Sequence, residues 1–552
     1  MSLRKWAFWK RFERPEFLIA AHYFSDGWPL DSLQVMRRST VRQELAMLRK
    51  DGFNTIIVVV PWRSFQCSQK PVAYDVFYEA QLRLVLYESQ RAGLAVLLRV
   101  AYTHQVMQKP TLNGFRWAQA LLTEPAIEQA WLDYFSRIAS IAGEYACCVG
   151  GFISWEELWH AFRVWQEQTG DANTAAASAS GYLHYLEEQG VEEQNCIPPK
   201  NSPEHAHYLA FANARMTAMF ERARTHWPQL GVEYRVDKDP VPTADGIDWR
   251  DNNAFLDWEP HRFSYWAPFM GAENVGEELD AQEAEVLLRH MLESTSQDGA
   301  FPGQVVEQFN FIDNTQKYLG SHAHIAEDQI DDFLQLAGPL LKQYSGGYGL
   351  WASRDYRMNM LYNAAFLAGG RGWAKAKNAR FRLSGGLRLR RQGRVTQRIE
   401  PRVTWVQRNH PTKELMLEIE FLRWLGLGPA ELRVRLNEDT WVSCQIQGKG
   451  RLGARVPADL KDVFDNGIHF EIDNQGRPLT ITRVFLYYET YAAGVRDIDA
   501  QSDRYLETIR RFNETLEEGE SASLHSLVNS YLLKLRKSIY NVFGHEISSN
   551  ER

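Results

Sequence analysis

The residues best suited to chemistry are glutamates that close two apolar segments. The segment "GFISWEELWH" (151–160) places Glu156 and Glu157 side by side between two tryptophans, and "GQVVEQF" (303–309) carries Glu307. An ionised carboxylate at the end of a buried segment is costly unless it is paired or used. Two carboxylates that face each other can divide the work of proton donor and nucleophile. Glu307 and one member of the pair Glu156 and Glu157 are therefore the candidate catalytic residues.

Aromatic and hydrogen-bonding side chains gather at the ends of the other apolar segments. Aromatic faces stack on pyranose rings, and fork-shaped donors bind hydroxyl groups, so a carbohydrate site needs both. Opposed carboxylates are what the cleavage of a glycosidic bond requires. Each tryptophan could instead be half-buried packing, and Arg99 could hold a carboxylate in place rather than touch substrate. The candidate substrate-binding residues are His22, Trp62, Arg99, His104, Trp155, Arg235, Tyr265, Trp266, Asn310 and Trp351.

The elements that must position these residues alternate along residues 1–373. Short apolar segments are followed by segments of helical spacing, such as 40–53, where Val41, Leu45 and Leu48 share one face. This alternation predicts parallel strands joined by right-handed helical crossovers. The eight predicted strands are 17–24, 54–62, 94–104, 149–157, 231–237, one within 255–266, 303–309 and 347–355.

Eight such units predict an α/β fold of the (β/α)8 TIM barrel type, with an insertion at about 165–230. The active site of such a barrel lies at the carboxyl ends of the strands, where the candidate residues fall. Strands four and seven, which carry the glutamates, are nearly opposite in the ring. A doubly wound open sheet is the alternative, but no phosphate-binding loop follows the first strand.

The pattern changes after Trp373. Residues 374–490 alternate between apolar and polar positions with turns between them, which predicts an antiparallel β-sandwich that could bind carbohydrate or only brace the barrel. This region contains "GKGRLG" (448–453), but no βαβ unit follows, so dinucleotide binding is not predicted.

Residues 491–552 are predicted to form a helical tail. Apolar residues recur at helical spacing across 524–543, so this face should pack against the parent chain or a second copy, which would make a homo-oligomer. Lys534, Arg536 and Lys537 allow a membrane-surface helix as the less favoured alternative.

Composition limits the classes of function. The 552 residues carry a formal net charge of −7, which disfavours a nucleic-acid-binding protein. No apolar run is long enough to span a membrane, and the N-terminus lacks a secretory signal, so a cytoplasmic protein is expected. The five cysteines suggest neither disulfides nor a zinc site. The pairs His205/His207 and His322/His324 would face apart on a helix, and neither a metal nor a cofactor is expected.

Three segments resemble a known group of enzymes. "SWEELW", "QVVEQFN" and "GYGLWASRDY" are similar to strands four, seven and eight of the clan A retaining glycoside hydrolases, which include families 5, 39 and 42, over about residues 1–370. The resemblance implies that Glu157 is the acid/base, Glu307 the nucleophile and Tyr265 a hydrogen-bond donor to the nucleophile. The clan usually has asparagine before its acid/base, where this chain has Glu156, which remains the alternative acid/base.

Two functions fit these patterns. The first is a retaining glycoside hydrolase or transglycosylase that acts on an oligo- or polysaccharide. The second is a non-catalytic glycan-binding protein on the same barrel, with a role in polysaccharide assembly. Glutamates at the ends of both strands favour catalysis.

Overall fold

Eight parallel strands close into a barrel between residues 18 and 350. Each strand pairs with the next along the chain, and the eighth closes the ring on the first. The predicted (β/α)8 barrel is therefore confirmed, and the open sheet is excluded. The strands are β1 Leu18–His22, β2 Thr55–Val60, β3 Ala95–Val100, β4 Cys148–Ile153, β5 Leu230–Tyr234, β6 Arg262–Trp266, β7 Val305–Phe309 and β8 Gly347–Leu350.

The structure is a computed structural model that describes most of the chain. For a few residues in helices and strands, including Glu156 and Glu157, it describes the backbone alone. The described residues are 12–103, 114–154, 156–191, 195–200, 202–234, 238–243, 246–251, 262–268, 270, 274, 276–295, 304–311, 322–399, 414–422, 430–437, 440–446, 450–456, 466–492, 494–501 and 505–517.

Helices connect the strands and cover the barrel. The segment 170–180, which lies within the predicted insertion, forms a helix. None of the helices in the described ranges is long and apolar enough to cross a membrane. The helices are α1 Arg38–Lys50, α2 Trp62–Phe65, α3 Val76–Ala92, α4 Gly114–Thr123, α5 Pro125–Ala142, α6 Glu156–Gln166, α7 Gly170–Ser180, α8 Tyr182–Glu188, α9 His205–His226, α10 Ala281–Thr295, α11 Ile330–Tyr344 and α12 Leu506–Glu517.

Local signals explain where such helices begin and end. Asp75 caps α3 by accepting a hydrogen bond from the amide of Phe77 at 2.9 Å. Gly93 ends the same helix with φ of 71°, a conformation that glycine adopts without steric cost. The strand β3 can therefore start two residues later, at Ala95.

An apolar layer fills the lower part of the barrel interior. Every second strand residue faces the barrel axis. Phe152 and Phe263 stack there with ring centroids 4.4 Å apart. This cluster closes the barrel, so a site can open only above it, toward the carboxyl ends of the strands. Its buried members are Leu18, Ala20, Ile57, Leu97, Phe152, Phe263 and Val305.

A nine-stranded antiparallel sheet follows the barrel. Its two 13-residue strands each pair with three neighbours, and the sheet covers one apolar core that includes Leu389, Ile419 and Val434. This arrangement is sandwich-like, as predicted. The strands are β9 Tyr356–Asn359, β10 Ala374–Phe381, β11 Leu387–Ile399, β12 Leu415–Leu422, β13 Ala430–Leu436, β14 Thr440–Ile446, β15 Gly450–Val456, β16 Ile468–Asn474 and β17 Leu479–Tyr491.

Buried ion pairs join this sheet to the barrel. Arg357 on β9 and Arg483 on β17 both pair with Asp26, which lies in the loop after β1. Arg357 also lies 2.8 Å from Glu418 on β12. Burial alone would raise the pKa of Asp26, but the two guanidinium groups outweigh it and hold that pKa well below its usual value. The sheet is thus packed on the barrel rather than loosely tethered.

Helix α12 packs against β8, α11 and the turn that follows α1. Phe512 contacts the ring of Tyr348 on β8, with centroids 5.2 Å apart, and Asn513 donates to the carbonyl of Asp51 at 2.8 Å. The apolar stripe at 524–543 lies outside the described residues, so its packing remains a prediction.

Candidate active site

A polar layer lies above the apolar layer of the barrel. His22, Arg99, Tyr265 and Glu307 each stand two positions after an inward-facing residue of their strand, so alternation turns all four toward the axis. Glu233 joins them, because it pairs in register with the inward-facing Phe263. The five side chains are buried. The strands thereby bring two carboxylates, one guanidinium, one imidazole and one phenol to one level.

Glu307 sits at an irregularity in β7. Toward β6, Ser264 pairs with Val306 but Tyr265 pairs with Gln308, so Glu307 is an extra residue in the ladder. Toward β8, the register also shifts between Val306 and Phe309. A bulge re-aims side chains and is common beside active sites. It explains how Glu307 and its neighbour Gln308 both reach Arg99 from one strand.

Two side chains contact the Glu307 carboxylate. Nε2 of His22 lies 3.1 Å from Oε2 of Glu307 and 2.7 Å from its backbone carbonyl oxygen. Nη1 of Arg99 lies 3.7 Å from the same Oε2. Neither carboxylate oxygen of Glu307 accepts a hydrogen bond of good geometry from the described residues. A buried carboxylate with open lone pairs normally has a further partner.

Arg99 is fixed by its other contacts. Its Nη2 donates to Glu233 Oε2 at 2.9 Å, and its Nη1 donates to Gln308 Oε1 at 2.8 Å. Both acceptors are buried. A planar guanidinium held on two sides cannot rotate away, so its charge stays beside Glu307.

His22 is neutral in this setting. Burial lowers the pKa of His22 below its usual value of 6.5, and the neighbouring Glu307 carboxylate only partly opposes this effect. Both groups near Nε2 are acceptors, so the neutral ring carries its proton on Nε2 and donates to the backbone carbonyl of Glu307, beside the carboxylate. The imidazole thus orients the carboxylate without neutralising its charge.

Aromatic rings border this layer at the ends of β1 and β8. The partly exposed ring of Trp351, directly after β8, lies 4.8 Å from His22 and 4.9 Å from Phe24, centroid to centroid. Its indole Nε1 donates to the hydroxyl of Tyr356 at 3.1 Å. Tyr356 belongs to β9 of the second sheet, so that sheet helps to hold the tryptophan beside the site.

Tyr265 and Asn310 lie on the other side of Glu307. Asn310 directly follows β7, and its Nδ2 donates to the hydroxyl of Tyr265 at 3.4 Å. Both side chains are buried. The two predicted binding residues therefore stand together at the carboxyl ends of β6 and β7.

Trp62 and Trp266 occupy different surroundings. The ring of Trp266 packs against the rings of Phe309 and Phe333, with centroids 5.2 Å from each, on the helix-facing side of the barrel wall. Trp62 starts α2, is fully buried, and donates its Nε1 to Gln66 at 2.8 Å. Their contacts are those of packing residues, and no described contact joins them to Glu307.

The strand-four glutamates follow the strand instead of ending it. The sequence analysis extends this strand to Glu157, but β4 ends at Ile153 and α6 begins at Glu156. The pair thus belongs to the first turn of a helix at the carboxyl end of β4. The side chains of Glu156 and Glu157 lie outside the described part of the structure, as do His104, Trp155 and Arg235.

Glu233 and Gln308 are the residues that strand-end reasoning missed. The predicted fifth strand offered Arg235 as its functional end, whereas the buried acidic residue is Glu233. Its signal was a lone carboxylate inside "GVEYRV", two positions after a glycine that faces the axis. Gln308 gave no such signal, because without the bulge it would face away from the axis.

The chain is similar to solved structures of glycoside hydrolases. Neither a protein-family model nor a curated relative matches it. An exo-β-1,4-mannosidase from Opitutaceae bacterium strain TAV5 is 14% identical with a TM-score of 0.38, over 62% of this chain and 53% of the mannosidase. A GH5_18 protein from Streptomyces cattleya, solved with Manβ1-4GlcNAc, is 13% identical with a TM-score of 0.41, over 62% and 72% of the two chains.

A β-glycosidase named BGL167 is 14% identical with a TM-score of 0.36, over 64% of this chain and 89% of the glycosidase. The matched part spans about half the length of the mannosidase. Function is argued below from the residues of the site itself.

Proposed function

We propose that the protein is a retaining glycoside hydrolase that acts on an oligo- or polysaccharide. The observation that carries the proposal is the buried carboxylate of Glu307, which lies at a bulge in β7 beside a fixed guanidinium and a neutral imidazole. Its two oxygens accept no hydrogen bond of good geometry from the described residues. A carboxylate held this way is suited to attack an electrophilic carbon.

In this proposal, Glu307 attacks the anomeric carbon and forms a covalent glycosyl-enzyme. Glu157 protonates the leaving oxygen in that step and removes a proton from water in the next step. Arg99 keeps positive charge beside the carboxylate, and His22 and Tyr265 orient it. Trp351 offers a partly exposed ring on which the sugar can stack.

The stereochemical course of the reaction depends on the distance between the two catalytic carboxyl groups. Retaining enzymes hold the two carboxyl groups about 5–5.5 Å apart, whereas inverting enzymes need about 6.5–9.5 Å to admit water. We expect the shorter separation between Glu307 and the acid on α6. A crystal structure with the longer separation would favour inversion and remove the nucleophile role from Glu307.

Azide rescue distinguishes the roles of Glu157 and Glu156. A good leaving group needs no proton, so an enzyme without its acid/base still forms the glycosyl-enzyme from an activated aryl glycoside. Azide can then replace base-activated water. We expect Glu157→Ala to lose about 10²–10⁴-fold in turnover of substrates with poor leaving groups. With azide and an activated substrate, it should recover and give the glycosyl azide with retained configuration.

The matched variant is Glu156→Ala, which should not respond to azide. Rescue of Glu156→Ala instead would exchange the two roles. If the wild-type protein binds oligosaccharides but turns over no member of an aryl-glycoside panel, the non-catalytic glycan-binding function is correct and the enzyme proposal fails.

A further inference from the structure

A hairpin of the antiparallel sheet carries a dense run of positive charge. Strands β10 and β11 and their turn, residues 374–398, contain nine lysines and arginines and no aspartate or glutamate. We call this hairpin the basic ribbon. The wider region 374–490 has 21 lysines and arginines against 13 acidic residues, within a chain whose net charge is −7. Positive charge is thus concentrated on this sheet while the remainder of the chain is acidic.

The cations of the basic ribbon share one exposed face. Along β11, Arg388, Arg390 and Arg394 are exposed, while the alternating Leu387 and Leu389 are buried in the core of the sheet. Residues two apart on a strand lie about 6.5–7 Å from each other on the same side. Arg388 and Arg390 therefore stand side by side on the exposed face, and Arg394 follows beyond a bulge in the strand.

The pairing between the two strands brings like charges together. Arg380 on β10 stands directly opposite Arg388 on β11, and Lys377 stands opposite Arg394. Like charges in directly opposed positions destabilise a sheet. Fold stability alone does not account for this arrangement, whereas a bound polyanion would relieve the repulsion.

Most of this charge has no counter-ion among the described residues. Arg394 pairs with Glu471 on β16 at 3.6 Å. For Arg380, Arg388 and Arg390, no carboxylate of the described residues lies within 4.0 Å of the guanidinium. The ribbon therefore keeps a net positive potential on its outer face.

The turn of the basic ribbon lies against the connection from β1 to α1. Its turn glycine Gly385 lies beside the guanidinium of Arg37, which is in the connection from β1 to α1. That connection starts at the carboxyl end of β1, where the candidate site opens. A polymer chain that leaves the site on this side would meet the ribbon.

We propose that the basic ribbon binds an anionic polysaccharide, namely the part of the substrate chain that extends beyond the barrel. The choice of a saccharide rests on the proposed function, and the negative charge follows from the ribbon. Carboxylate or other acidic groups along the polymer pair with Arg388, Arg390 and their neighbours. This contact adds affinity for long acidic chains without touching the bond that is cleaved.

Binding is tested with polygalacturonate as the acidic probe and dextran as the neutral probe. The full-length Glu307→Gln variant is used, so the measurement needs no turnover and a failed enzyme proposal leaves it intact. We expect binding of polygalacturonate and not of dextran, and weakening as salt rises from about 50 to 200 mM, because exposed charges are screened over about 10 Å or less.

The decisive comparison adds Arg388→Glu with Arg390→Glu to that background. Affinity should fall about tenfold or more, since a change of 1.4 kcal/mol in binding free energy is tenfold. Glutamate at position 388 would stand opposite Arg380 and pair with it, so the fold should be preserved. An unchanged melting temperature would verify this. The matched control, Lys50→Glu with Lys200→Glu, reverses two exposed lysines outside the sheet and should bind like the parent.

Three results would overturn the proposal. The first is unchanged affinity in the ribbon variant. The second is an equal loss in the Lys50 and Lys200 control, which would mean that only net charge matters. The third is equal or tighter binding to double-stranded DNA or to phosphatidylglycerol vesicles, which would assign the ribbon to nucleic acid or to a membrane surface.

Discussion

At the scale of residues, Glu307 depends on a short chain of buried contacts. His22 and Arg99 touch its carboxylate, and Arg99 is itself fixed by Glu233 and Gln308. Removing one partner of a buried charge pair typically costs about 3–5 kcal/mol, because the other charge is left uncompensated. The site and the stability of the barrel interior are therefore coupled through Arg99.

His22 should make both stability and activity depend on pH. Its pKa in the folded protein is lowered from 6.5, so the unfolded chain binds more protons below about pH 6.5. The contribution of His22 is therefore present above that pH and is lost as the pH falls toward the folded pKa. We expect the free energy of unfolding of the wild type to fall between about pH 7.5 and 5 more than that of His22→Gln. Parallel urea titrations that give the same pH slope for both proteins would contradict this.

Several candidate site residues could be located from strand ends, and others could not. His22, Arg99, Tyr265, Asn310, Trp351 and Glu307 fall where the strands meet, because the apolar segments marked those ends clearly. Trp266 was assigned to the site together with its neighbour Tyr265, although consecutive residues of a strand face opposite sides of the sheet. Glu233 was missed because only the end of the predicted fifth strand, at Arg235, was considered as a source of site residues.

At the scale of elements, the bulge in β7 is the feature that lets Glu307 and Gln308 both face Arg99. The two neighbouring strands accommodate the bulge, and β8 does so by bringing the backbone of Gly349 against the carbonyl of Glu307.

Sequence patterns did not reveal this bulge, since it adds no proline or glycine to β7 itself. The eight strands were predictable because their apolar segments are long and well separated, whereas the change from β4 to α6 carried no breaker.

Substitution of Gly349 tests the role of the bulge in β7. A Cβ at this position would overlap the carbonyl oxygen of Glu307 and would lie 2.6 Å from Cδ1 of Ile57. Gly349→Ala should therefore destabilise the protein by about 1–3 kcal/mol, the usual cost of overpacking, and reduce turnover by displacing Glu307.

The nearby Gly346→Ala is the matched control. Its Cβ would approach nothing closer than the carbonyl of Gln304 at 3.7 Å. Melting temperature and turnover should therefore stay close to wild type. Equal effects of the two substitutions would show that contact with Glu307 is not what makes Gly349 necessary.

At the scale of the whole molecule, the antiparallel sheet is part of the structure that supports the site. Tyr356 of the sheet accepts a hydrogen bond from Trp351. Two arginines of the sheet pair with Asp26 in the loop after β1. The sheet was predictable from its alternating pattern. The first strand of the sheet, Tyr356–Asn359, was not predicted. It lies within residues that were assigned to the barrel, and its partner strand β17 is far along the chain.

Asp26 should stabilise this junction in a pH-dependent way. Asp26→Asn leaves two buried guanidinium groups short of a charge partner and should lower the free energy of unfolding by about 3–5 kcal/mol near neutral pH. The pKa of Asp26 is lowered in the folded protein, so its contribution is present above about pH 4 and is lost as the pH falls further. The difference between variant and wild type should shrink below about pH 4. A constant difference, or one matched by the exposed Asp171→Asn, would refute this role.

The most direct test of the central claim is to trap and locate the covalent intermediate. The reagent is an activated 2-deoxy-2-fluoro glycoside of the sugar that the enzyme turns over. The fluorine slows both the formation and the hydrolysis of the glycosyl-enzyme, but the good leaving group keeps formation fast enough for the intermediate to accumulate. We expect the mass of the intact protein to rise by one fluorosugar, and the label to map to the peptide that contains Glu307. Glu307→Gln should remain unlabelled, and proton NMR of the natural reaction should show initial retention of the anomeric configuration. Turnover with inverted configuration, or a label on a residue other than Glu307, would contradict the proposed mechanism.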